Sequence, residues 1–185
     1  MYRYRKLLAI IILFSAVFCL FSCAPEKKAE SLDVLKLAAD FKAEGERNGV
    51  GFCASVSLGE MREDGTRSGE MVYSLPDAFV GLRIRSDSGV WEAELGGVTV
   101  SGDAAEALGA PLAPFMQRVS AGSAESITSE NGEARTLIKV PSESGTLEFT
   151  IDSKSGLPVF LTEKNSAGET VMEFKITEYQ TQKTN

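Results

Sequence analysis

The sequence predicts a mainly β protein of the α+β class: a curled antiparallel sheet, or half-open β-barrel, covered by an N-terminal helix and a short helical insert. Three observations predict it. Apolar residues recur with a period of two from Val50 onward, as on a half-buried sheet. Turn chemistry (Ser-Gly, Asn-Gly, Lys-Ser-Gly, Ala-Gly) recurs at hairpin spacing. One proline-broken helical stretch divides two runs of strands. A chain of 185 residues fits one domain plus a leader.

Ser31 to Asn48 predicts the helix. Ser31 is the N-cap, Asp33 lies in the first turn, Leu32, Leu35 and Ala39 form an apolar stripe, and Gly45 and Gly49 are stop signals. In Val50 to Leu58, Val50, Phe52, Ala54, Val56 and Leu58 share one strand face. Thr66 to Leu75 follows, with Met71, Tyr73 and Leu75 in register, and Pro76-Asp77 breaks it. Ala78 to Arg85 is expected as a strand with Val80, Leu82 and Ile84 on one face, ending at the turn Ser86 to Gly89. Val90 to Leu95 and Val98 to Ser101 flank Gly96-Gly97. Asp103 to Ser120 is the insert, a short helix ended by Gly109 and then a proline-broken turn that exposes Leu112, Phe115, Met116 and Val119. Further strands are expected at Ser126 to Glu130, Glu133 to Val140, Thr146 to Asp152, Val159 to Glu163 and Thr170 to Tyr179. Consecutive strands joined by tight turns make a meander, and a single sheet of that size curls.

The first 22 residues read as an export signal: Arg3, Arg5 and Lys6, then an apolar run from Leu7 to Phe18 that is short for a membrane span. The end of this run resembles a bacterial lipoprotein box, with Leu20 at −3, Ser22 at −1 and then Cys23; Phe21 is bulkier than that box usually carries. Cys23 is the expected lipidation site, which places the domain on the extracytoplasmic face of a bacterial membrane. Residues 23–30 are a polar tether, 31–180 the domain and 181–185 a polar tail. Removal of the leader takes the net charge from −7 to −10. Cys53, on the alternating strand, is expected to be a structural thiol, so no disulfide framework is expected.

The sequence has no His, which removes His triads, His general bases and His metal ligands. The acidic balance argues against a nucleic-acid partner. There is no P-loop, GxSxG, CxxC or Ca²⁺ loop. Glu92 with Glu94, and Arg83 with Arg85, read as solvated strand faces. The expectation is therefore a non-catalytic protein with neither cofactor nor metal.

The order of leader, helix, meander, insert and meander resembles the Lol-type lipoprotein carrier superfamily, which includes LolA/LolB-like half-barrel lipoproteins and clostridial germination-lipoprotein-like members. Tyr73-Ser74-Leu75-Pro76-Asp77 and the hairpin from Leu147 to Val159, Phe149-Thr150-Ile151-Asp152 followed by Gly156-Leu157-Pro158, are similar to that family's strand endings. The resemblance implies an apolar hollow that shields acyl chains, lined by Phe52, Val56, Tyr73, Leu82, Trp91, Phe149 and Phe174, with Phe115 and Met116 brought by the insert. It implies binding of a lipid or amphiphile; a filled hollow would instead make an interaction module for an envelope protein or cell-wall enzyme.

Overall fold

A computed structural model describes residues 33–116, 123–128, 132–142 and 144–182. Eleven strands run through them: β1 (Ala39–Arg47), β2 (Val50–Leu58), β3 (Ser68–Leu75), β4 (Arg83–Asp87), β5 (Val90–Leu95), β6 (Val98–Ser101), β7 (Ser123–Thr128), β8 (Ala134–Ser142), β9 (Gly145–Asp152), β10 (Pro158–Asn165) and β11 (Thr170–Thr181). They form one antiparallel sheet in the order β6-β5-β4-β3-β2-β1-β11-β10-β9-β8-β7. β6 and β7 are its two edges, so the barrel is not closed. Register shifts between Asp40 and Lys42, Cys53 and Ala54, and Pro158 and Phe160 add local bends.

Two meanders, β1–β6 and β7–β11, meet where β1 pairs with β11. The chain leaves the first meander at one edge and enters the second at the other. The connection carries α1 (Asp103–Leu108) and α2 (Ala113–Met116), which correspond to the expected insert. Its contacts reach across the inner face: Gly109 lies on Trp91 and Ile84, and the Phe115 ring meets Phe41, Phe149 and Phe174. The topology thus lays the insert over the concave side.

Over the described part of Ser31 to Asn48, from Asp33 onward, the expected helix is not formed. A single 3₁₀ turn, Val34–Lys36, is followed by β1. The apolar spacing fits two periods, and tertiary pairing selects one. Ala39, Phe41 and Ala43 are buried while Asp40, Lys42 and Glu44 are exposed, the alternation of a strand bonded to β2 and β11. Asn48 and Gly49 both take positive φ, 49° and 76°, so they form a tight hairpin turn rather than a helix stop. Gly45 lies beside both Phe52 and Phe174 in the register. A Cβ there would strike the Phe174 backbone, and its absence lets the two rings meet edge to face at 5.6 Å.

A second difference follows Pro76. Asp77–Phe79 is a 3₁₀ turn and β4 begins only at Arg83. Val80 is therefore exposed, while Leu82 and Ile84 are buried. Gly81, at φ 80°, and Leu82 close this turn back onto Tyr73 by backbone hydrogen bonds. The end of the sheet also runs further than the expected tail: β11 extends to Thr181, and the Gln182 N–H donates to the Ala38 carbonyl. The signal segment, Cys23 and the tether lie outside the described residues.

Candidate functional site

Strand alternation aims one side chain in two at the concavity, and the sequence makes many of these aromatic. Phe52, Val56, Tyr73, Leu82, Trp91, Phe149 and Phe174 all lie on this inner face and are buried. Phe115 is buried with them, and Met116 packs at their margin. All nine residues expected around the hollow are thus brought together. They do not surround a vacant groove: their rings touch one another. Phe174 meets Phe52, Phe52 meets Tyr73, and Tyr73 meets Phe79, with centroids 5.6, 6.4 and 5.7 Å apart. Phe115 closes the centre, 5.0 Å from Phe41, 5.9 Å from Phe149 and 6.1 Å from Phe174. The residue that fills the hollow therefore belongs to the insert and not to the sheet.

Three side chains of the sheet and its turns hold the insert and its surroundings. Arg67 does most. It is 1% exposed, and among the described residues no carboxylate pairs with it. Its guanidinium donates to the carbonyls of Gly59 (Nε 2.8 Å, Nη2 2.6 Å), Leu35 (Nη1 2.8 Å), Leu37 (Nη2 2.6 Å) and Phe115 (Nη1 3.4 Å). One side chain thereby joins the 3₁₀ turn before β1, the end of β2 and α2. Burial pulls its pKa below the usual arginine range, and the carbonyl oxygens replace the water it has lost. Tyr73 donates its hydroxyl to the Leu108 carbonyl at 2.8 Å, and Arg47 donates to the Ala107 carbonyl at 3.0 Å. Both cap the free carbonyls at the end of α1. Burial pushes the Tyr73 hydroxyl up to about 12.

Arg67 was not singled out by the sequence. It stands beside an ordinary turn, and no local signal separates it from Arg83 and Arg85. Those two do lie on the outer face, where both approach Glu70. Glu92 and Glu94 face outward opposite Arg85 and Arg83 and are exposed, so the carboxylate spacing makes no enclosed pair. Among the described residues no group of three or more Cys, Asp or Glu side chains converges. Cys53 is half-buried on β2. A groove of about 550 Å³ lies on the outer face, lined by Ser57, Glu70, Arg85 and Glu92 among others. A smaller recess of about 300 Å³ lies at the rim, between the insert and the β4–β5 hairpin.

An open antiparallel half-barrel with an aromatic interior, stoppered by its own latched insert, is the class of structure that these features define. Among solved structures, an uncharacterized conserved protein from Thermus thermophilus superposes with a TM-score of 0.55 at 12% identity, over 84% of this chain and 85% of that one. MucB superposes with a TM-score of 0.55 at 15% identity, over 88% of this chain and 61% of MucB, so the chain spans less than two thirds of that protein. MucB has also been solved in complex with MucA from Pseudomonas aeruginosa. The structural neighbours include a LolA superfamily protein from Nitrosomonas europaea, with a TM-score of 0.45, 6% identity, and coverage of 86% and 92%. At these identities the likeness is one of fold. No family model and no curated protein matches the sequence.

Proposed function

We propose that this chain is a lipoprotein of the extracytoplasmic membrane face, tethered through Cys23, whose half-barrel takes up one acyl chain of a lipid or amphiphile. The observation that supports it is the location of Phe115. A core filled from the sheet would be permanent; one filled from a connection can be vacated when that connection moves. In this reading α1 and α2 are a lid, Phe115 is its stopper, and Arg67, Tyr73 and Arg47 are its latches. Acyl burial supplies about 0.8 kcal/mol per CH₂, so a chain of roughly four to six methylenes offsets the loss of Phe115 packing, about 3–5 kcal/mol. No bond is made or broken.

Two measurements test the reading. Mass spectrometry of organic extracts from the purified chain is expected to return a bound lipid, and a fluorescent fatty acid is expected to enter the domain. An empty extract together with no uptake overturns it. The anchor is tested separately: the mature N-terminus is expected to carry a diacylglyceryl group on Cys23 and to lose it in Cys23→Ser.

A second reading, an interaction module that positions an envelope protein, is favoured by β6. This edge strand carries no charge, and Leu95, Val98 and Val100 beside its outer limit are 40%, 67% and 41% exposed. Such an edge can accept another strand. A single partner recovered by cross-linking, from a domain that takes up no lipid, would select this reading.

A further inference from the structure

The rim recess beside the lid carries a buried polar group that neither latch nor core uses. Ser86 and Trp91 are cross-strand partners in the β4–β5 register, both pointing inward, so their side chains are immediate neighbours. Ser86 is 3% exposed, and its hydroxyl has no hydrogen-bond partner among the described residues. Trp91 is 7% exposed. Its benzo ring is covered by Gly109, where a Cβ would lie 2.5 Å from Cζ3. Both line the recess, together with Arg67, Met116 and, at the solvent-exposed mouth, Glu106. Buried polar groups are nearly always satisfied, so an idle buried hydroxyl at a cavity beside a buried guanidinium calls for a partner.

We propose that this recess binds the anionic headgroup, a phosphate or carboxylate, of the amphiphile whose acyl chain replaces Phe115; the inference rests on the acyl-binding reading. The Ser86 hydroxyl donates to the anion, and Trp91 walls the recess beside it. Arg67 contributes its charge rather than its hydrogen bonds, since its N–H groups already point at carbonyl oxygens. It gains a donor for the anion only when the lid withdraws and the Phe115 carbonyl leaves. Met116 and Phe115 are adjacent in the chain, so the recess borders the space the acyl chain would enter. Glu106 is opposed in sign but exposed, where water and salt screen it.

Trp91 is the only tryptophan of the chain and so reports on the recess directly. The full chain, held in phosphatidylcholine vesicles, is titrated with octyl phosphate, octanol and inorganic phosphate while Trp91 emission is followed. Octyl phosphate is expected to bind about tenfold more tightly than octanol and to shift the emission. Ser86→Ala is expected to reduce that preference several-fold. Equal binding of the two octyl probes, or a preference undiminished in Ser86→Ala, overturns the headgroup site while leaving the acyl reading standing. Inorganic phosphate acting as strongly as octyl phosphate supports the anion site and removes the acyl reading. No response to any probe overturns both.

Discussion

The interior is built from two sources that are held in different ways. Phe52, Phe149 and Phe174 stand on strands bonded on both sides to neighbouring strands. Phe115, Leu112 and Ala105 are equally buried, yet they stand on the segment of helices α1 and α2, which among the described residues is held to the sheet and its turns by side chains that donate to a few carbonyls. Equal burial therefore does not mean equal permanence. A ladder strand opens only when the sheet does, whereas a segment held by side-chain latches can open by itself at lower free energy.

The largest effect is expected from the sheet side of this contrast. Phe174→Ala empties the centre of β11, where the ring meets both Phe52 and Phe115, and is expected to cost about 3–5 kcal/mol in urea denaturation. That is a large part of the total stability of an ordinary domain. Arg67→Met comes next. It leaves the carbonyls of Gly59, Leu35, Leu37 and Phe115 without their donor and is expected to cost about 3 kcal/mol. Its signature is regional: amide exchange accelerates in residues 34–37 and 103–116 well before it does in β9 to β11.

Phe115→Ala sharpens the contrast from the other side. Its stability cost is expected near or just below the usual Phe→Ala range, about 2–3 kcal/mol, because the insert can settle into the gap. Its fatty-acid uptake is expected to rise above that of the unaltered chain. Tyr73→Phe is the mildest change, about 1 kcal/mol for the lost bond to Leu108. It also carries a pH signature. The Tyr73 pKa lies above that of an unfolded tyrosine, near 10, and is raised to about 12. Between those values the unfolded chain gives up a proton that the folded chain keeps. The contribution of Tyr73 to stability is therefore complete below about pH 10 and falls as pH rises toward 12. Tyr179 is also raised by burial, so Tyr73→Phe is expected to flatten this fall in part.

The half-barrel was legible in the sequence where one period dominated. Val50 to Leu58 and the Val90 to Ser101 hairpin alternate cleanly and end in turns with the chemistry they need, and their bounds agree with β2, β5 and β6. Leu35, Ala39 and Phe41 fit a helical stripe as well as a strand. What decides for β1 is bonding to β11, whose residues Met172 to Thr181 stand at the far end of the domain sequence. The inward aromatic set was implied by the family resemblance rather than read from periodicity, and the burial of Phe52, Tyr73, Phe149 and Phe174 agrees with it. The filling of the interior was not legible, because no local pattern says that Phe115 reaches Phe149 and Phe174. Arg67 was hidden for the same reason: its partners are carbonyl oxygens, which every residue has.

Hydrogen exchange on the full chain, with and without octyl phosphate, addresses the stopper most directly. The insert, 103–116, is expected to be less protected than β9 to β11 in the free protein and to change its exchange when the ligand enters, while those strands stay as they were. Protection of the insert equal to that of β11, unaltered by ligand, would mean that Phe115 is a fixed part of the core and that the interior never opens.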